Sequence, residues 1–197
     1  EAQARKAEIE CLQEDYEEAL SSFELLFSFA EKPENKEAAQ LGIMRCAQYT
    51  GKPEIIVSSA ENLLSNNKLS PEIRTEAHYL RAKAYITLGQ QGNAITDLKE
   101  LSRDTRNVHG AESKYLLAKV YSDAGELDKA EKELMNFIEN GTPHQYWLAR
   151  GFILLSDVYV AKGDDFQARQ YLVSLQNNYN SNAEINEMIE NRLSKLQ

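Results

Sequence analysis

Apolar and small residues in this chain fall on helical stripes, and the stripes come in segments of nearly constant length. Ala77, Leu80, Ala84, Tyr85 and Leu88 recur every three or four positions, which places them on one face of a helix. Ser70-Pro71-Glu72 supplies its start, with Ser at the cap, Pro in the first turn and an acid near the positive end of the dipole. Gly89 stops it, and a second stripe of Ala94, Ile95, Leu98 and Leu101 predicts the next helix. The same plan predicts helices over Ala111–Ala124 and Leu127–Glu139, then from Thr142-Pro143 to Lys162 and from Phe166 to Tyr179. Upstream, Lys36–Thr50 and Pro53–Ser65 form a looser copy, and residues 3–30 the most degraded one. Residues 182–197 predict one more amphipathic helix, with Ile185, Met188, Ile189, Leu193 and Leu196 on its apolar side.

These segments are periodic. Tyr85, Tyr121 and Tyr159 lie 36 and 38 apart, Gly51, Gly89, Gly125 and Gly163 step by 38, 36 and 38, and Ala19, Ile56, Ala94, Ala130 and Ala168 by 37, 38, 36 and 38. A fixed interval in this range marks stacked helical hairpins. The expected fold is therefore all-α, a single solenoid over residues 1–197. Its hairpins fall at roughly 1–32, 34–66, 71–104, 110–140 and 143–180, with helix 182–197 covering the apolar edge of the last. Such an array offers a long surface rather than a buried reaction chamber.

The residues that repeat resemble the tetratricopeptide repeat. Its signature puts Leu, a small residue and Tyr on the first helix, then Ala, an aromatic or Leu, and Pro on and beyond the second. The fourth hairpin shows Leu117, Ala118, Tyr121, Ala130, Leu134 and Pro143, with Pro one place late; the fifth shows Leu155, Ser156, Tyr159, Ala168 and Leu172. The third has Ala82, Tyr85, Ala94 and Leu98 but Arg81 at the Leu place, and the second keeps Ile43, Met44 and Gly51 with Ile56 for Ala. Little beyond Ala19 and Phe23 survives in the first. The resemblance implies a right-handed superhelix. The family period is 34, and the extra residues fall between hairpins, in 66–73, 103–110 and 140–147, where longer loops add closure entropy slowly.

Charge and chemistry narrow the function. The formal net charge is -9, of which residues 1–35 carry -7 through ten acids against three bases. That balance opposes nucleic-acid binding and favours a basic partner at the N-terminal end, or a solvated acidic face. No apolar run approaches the roughly 20 residues needed to cross a bilayer. The chain opens at Glu1 in charged helical sequence, which points to a piece of a longer protein and leaves any leader undetermined. Cys11 and Cys46 form neither a disulfide scaffold nor a metal motif; they sit where first helices of adjacent hairpins would stack, so two buried thiols or one bridge are both open. His78, His109 and His144 have no metal-binding spacing, and no catalytic or phosphate-binding motif appears, so no enzyme and no cofactor is expected. His78 is expected to pack, and Trp147, beside Tyr146, to cover the seam with the preceding hairpin.

The resemblance also implies where a partner would bind, because first helices of such arrays line a concave groove. One groove row reads Leu41, Tyr79, Tyr115, Ile153, and the next reads Arg45, Lys83, Lys119, Asp157, flanked by Tyr49 and Asp123. Tyrosines above lysines suit peptide capture, since Tyr gives broad amphipathic contact and Lys meets carboxylate or phosphate. The expected function is a non-catalytic scaffold that holds a partner peptide or helix in this groove. The alternatives are an assembly module of a larger protein and, further off, a helical-repeat ligand-binding protein or enzyme. Elongated arrays of this composition look similar to those of large bacterial envelope-associated proteins, which would place it on the periplasmic side; a cytoplasmic setting fits nearly as well.

Overall fold

A computed structural model describes residues 2–179 and 182–196, and within them all regular structure is helical. The helices are α1 (Ala2–Leu12), α2 (Tyr16–Phe29), α3 (Pro33–Tyr49), α4 (Pro53–Leu64), α5 (Pro71–Thr87), α6 (Gln91–Leu101), α7 (Val108–Asp123), α8 (Leu127–Asn140), α9 (Gln145–Ala161), α10 (Asp165–Asn178) and α11 (Ala183–Leu193). They gather into two compact units, Glu1–Asp97 and Leu98–Gln197, divided within α6.

The turn inside each hairpin follows one design. The amide just past the turn residue donates back to a carbonyl in the last turn of the first helix: Asp15 to Glu10, Lys52 to Ala47, Gln90 to Tyr85, Glu126 to Tyr121 and Asp164 to Tyr159, all at 2.8–2.9 Å. This closure needs a left-handed residue, which glycine adopts without strain. Gly51 and Gly125 do so with φ of 67° and 74°. In the first hairpin Glu14 takes the glycine's place, with φ of 63°. A side chain there costs about 1 kcal/mol, yet the same closure forms, so the least repeat-like hairpin keeps the repeat's turn. Helix starts are also encoded locally. Pro33, Pro53 and Pro71 open α3, α4 and α5, and side chains of Ser70, Asn107, Asp164 and Asn182 cap α5, α7, α10 and α11.

In the first unit each helix from α1 to α5 packs on the next, and first helices meet directly where α3 touches α5. Ala7, Ala19, Leu20, Phe23, Ile43 and Cys46 form one core cluster, and Met44, Ala47, Ile56, Ala60, Leu63, Ala77 and Leu80 form another. Ala7, Ala19, Ala47, Ala60 and Ala77 are fully buried, and a methyl group at such positions lets helices approach closely. In the second unit α7 packs on α8 and α9, and α11 closes α9 and α10. Ile185 and Ile189 of α11 are fully buried against Ala149, Ile153, Leu172 and Leu175, each worth about 1.5–3 kcal/mol of burial. The long connection between α6 and α7 is tied down. Thr142 donates to the Thr105 carbonyl at 2.6 Å, Thr105 donates to that of Gly141, and a ring nitrogen of His144 lies 3.0 Å from the Arg106 carbonyl. These ties hold residues 141–144 in a loop, so α9 begins at Gln145 rather than at the predicted Thr142-Pro143.

Candidate protein-binding surface

First helices carry the candidate surface, and in the first unit they enclose an open apolar trough. It occupies about 560 Å³ between α1 and α3 and is floored by Phe23 and Leu26 of α2, with Cys11, Leu12, Leu41 and Arg45 on its walls. That volume lies within the roughly 300–1,000 Å³ of ligand clefts. Leu12 is 84% exposed, an unusual state for a large aliphatic side chain on the lip of a cleft. Glu8 stands on the same rim. Gly42 keeps the floor low: a Cβ there would lie 2.4 Å from the Phe23 ring. Leu41 is a shared ridge, since a second hollow of about 520 Å³ begins on its other side, towards Asn66 and Ile73.

Of the predicted residues of this unit, Leu41 and Arg45 line the trough. Arg45 is exposed and reaches from α3 to α5, where it grips Glu76 through two bonds of 2.7 Å. Tyr79 is half-buried against the second core cluster. Lys83 lies 5.0 Å over its ring and donates to its hydroxyl at 3.0 Å. Tyr49 is exposed and stacks on Tyr16, ring centres 4.1 Å apart.

The second unit departs from the expected rows. Tyr115 is only 7% exposed and Ile153 2%, so both belong to the core and are withdrawn from any partner. The cause is the packing of α7 on α9. Arg150 lies 5.1 Å over the Tyr115 ring and donates to its hydroxyl at 2.9 Å, and Trp147 packs on it with ring centres 5.6 Å apart. Lys119 and Asp123 pair with each other one turn apart on α7. Asp157 accepts two bonds from Arg192 of α11, at 2.7 and 2.8 Å, beside a hollow of about 340 Å³.

Sequence reasoning missed the trough, Arg150 and the polar core of α5–α6. Asp97 is 1% exposed; Arg81 holds it with bonds of 2.8 and 2.7 Å, and His78 lies 2.8 Å from it. His78 is therefore a hydrogen-bonding residue rather than the packing residue expected of it, and Arg81 has a reason to replace Leu. Burial alone would raise the pKa of Asp97, but the bonds from Arg81 and His78 outweigh it and hold the carboxyl below its usual range. Among the described residues no group of three or more His, Cys, Asp or Glu is placed to hold a metal ion, and no helix is long and apolar enough to cross a membrane.

Paired helices with left-handed turns, close small-residue crossings and first-helix contacts define a helical-repeat protein. Residues 75–102 and 111–139, the bulk of α5–α6 and α7–α8, match the family model of the tetratricopeptide repeat. No curated protein sequence matches the chain. Among solved structures, the MamA protein is similar with a TM-score of 0.69 and 18% identity, over 89% of this chain and 92% of that one. A tetratricopeptide repeat protein from Parabacteroides merdae gives 0.60 and 20%, over 98% and 76%. A thermophilic one from Thermus thermophilus gives 0.54 and 17%, over 98% of both chains. Residues 75–102 and 111–139 are thus tetratricopeptide repeats, and the chain shares the fold of these solved structures, a fold that commonly mediates protein–protein interaction and is generally a non-catalytic scaffold.

Proposed function

We propose that this protein is a non-catalytic scaffold that receives a helix or peptide of a protein partner on its first-helix surface, with the α1–α3 trough as the principal seat. The observation that carries this reading is an open, apolar cleft whose lip residue, Leu12, is exposed to water. Leu41, Arg45, Tyr49, Tyr79 and Lys83 extend the surface along the first unit. The second unit is read by itself: its first helices retain Lys119, Asp123 and Asp157, and Tyr115 and Ile153 drop out because they are buried. The partner's chemistry follows from the ten acids against three bases in residues 1–35: an amphipathic helix with apolar anchors one turn apart and Lys or Arg on its flanks. Nucleic acid is disfavoured by the same charge.

Selection of helical peptides from a displayed library tests this. Enriched sequences should carry apolar residues at i, i+3 or i+4, and i+7 with basic flanks, and Leu12→Glu should weaken their binding about tenfold or more. Leu12 is exposed, so the substitution leaves the core intact. Equal binding by the wild type and the variant would remove the trough from the reading.

A second reading, assembly onto further protein, rests on α2. Leu25 and Phe29 are exposed there, and neighbouring large apolar side chains left in water mark an interaction surface. Self-association in sedimentation velocity that disappears in Leu25→Ser/Phe29→Ser would favour it; a monomer that binds peptide in the trough would not.

A further inference from the structure

The cysteines of the first unit come together across helices. Cys11 near the end of α1 and Cys46 near the end of α3 are 35 residues apart in sequence, yet their sulfurs lie 3.4 Å apart, joined by an S–H···S contact. Both are unbridged thiols. Cys46 is fully buried in the cluster of Ala7, Ala19, Phe23 and Ile43, whereas Cys11 is half-buried and forms part of the trough wall. A small molecule in the trough therefore reaches one sulfur and not the other. Closing the remaining gap to the roughly 2.05 Å of a disulfide needs little movement, and α1 can supply it, because Ala7 is its single fully buried residue.

We infer that Cys11 and Cys46 are a modification site that forms a reversible intramolecular cystine by exchange with a small-molecule disulfide entering through the trough. The Cys11 thiolate attacks one sulfur of the incoming disulfide, forming a mixed disulfide on Cys11 and expelling one thiolate. Cys46 then loses its proton, its sulfur attacks the Cys11 sulfur, and the second thiolate leaves. Two protein thiols are oxidised to one cystine and the disulfide is reduced to two thiols, so electrons and protons balance. The order of attack follows from the surroundings. Burial, and next the bond to Cys11, pushes the Cys46 thiol up to about 12, so it stays protonated until a neighbouring mixed disulfide is there to resolve. The product ties α1 to α3 and fixes the two walls of the trough. It also closes a long loop in the unfolded chain, which stabilises the fold. This inference does not rest on the proposed function.

The test treats the whole chain with oxidised glutathione without denaturant. The expected product is a monomer lighter by about 2 Da that takes up no iodoacetamide when it is denatured after the glutathione is removed, whereas the untreated chain takes up two, and that reverts with dithiothreitol. Its melting temperature should exceed that of the reduced form by about 5 °C or more. Cys11→Ala, which changes a half-exposed position, should keep the fold and lose all redox dependence of melting. Cys46→Ala should accumulate a stable glutathione adduct on Cys11. Two thiols that remain alkylatable, an adduct that persists in the wild type without closing, or a covalent dimer would overturn the assignment.

Discussion

Arg81 on α5 and Leu117 on α7 occupy the same position of consecutive repeats, 36 residues apart, and their hairpins are held by opposite chemistry. In α7–α8, Leu117, Leu134 and Ala130 are all buried. In α5–α6, Arg81 draws the carboxylate of Asp97 into the interior. A polar link between first and second helix exists in both, over the same separation of 19 residues: His78 with Asp97, and Lys114 with Glu133 at 2.5 Å. Only the depth differs. The Glu133 side chain is 25% exposed and that of Asp97 1%. With Leu at the central position the acid stays at the rim; with Arg there it is buried and must keep every partner.

That difference sets the largest expected effect. Asp97→Ala leaves Arg81 and His78 partly buried without their acceptor and should destabilise by about 3–5 kcal/mol in urea denaturation. A loss below about 1 kcal/mol would mean that the trio contributes little. The second effect concerns the alanines. Ala118→Leu and Ala130→Leu in α7–α8 should each cost about 1–3 kcal/mol by overpacking, since both side chains are fully buried; unchanged melting in both would refute the close crossing. The third is pH. Asp97 has a folded pKa below its unfolded value, so its contribution is complete above about pH 4 and fades as pH falls through the folded value. Stability measured downward from pH 5 should therefore fall more steeply in the wild type than in His78→Leu/Arg81→Leu/Asp97→Leu. The smallest effect belongs to that triple variant at pH 7. Replacing the whole trio by apolar residues, as α7 does with Leu117, should leave stability within about 2 kcal/mol of the wild type. A loss as large as that of Asp97→Ala alone would show that the site demands charge rather than volume.

The candidate surface was less legible than the fold. Leu41, Arg45, Tyr79 and Lys83 were located by aligning turns, and Leu41 and Arg45 line the trough. Tyr115 shared their register but not their fate, because its exposure depends on Arg150 and Trp147 of another helix. The trough was invisible for a similar reason. It is space left where Leu12, Phe23 and Leu41 fail to meet, and no stripe on a single helix records a gap between three. Arg81 looked like a flaw in the pattern until Asp97, 16 residues further on, was found against it.

What the chain by itself determined is what spacing can encode. Helical stripes, prolines and caps at helix starts, and left-handed residues at regular intervals specify helices and turns, because those interactions span only a few residues. The repeat interval then specifies how hairpins stack. Which side chains remain at the surface was decided only by tertiary structure, since burial is a property of a residue's neighbours. The depth of Asp97, the loss of Tyr115 from the surface and the meeting of Cys11 with Cys46 are all of that kind. Each joins groups on different helices that local sequence has no means of aligning.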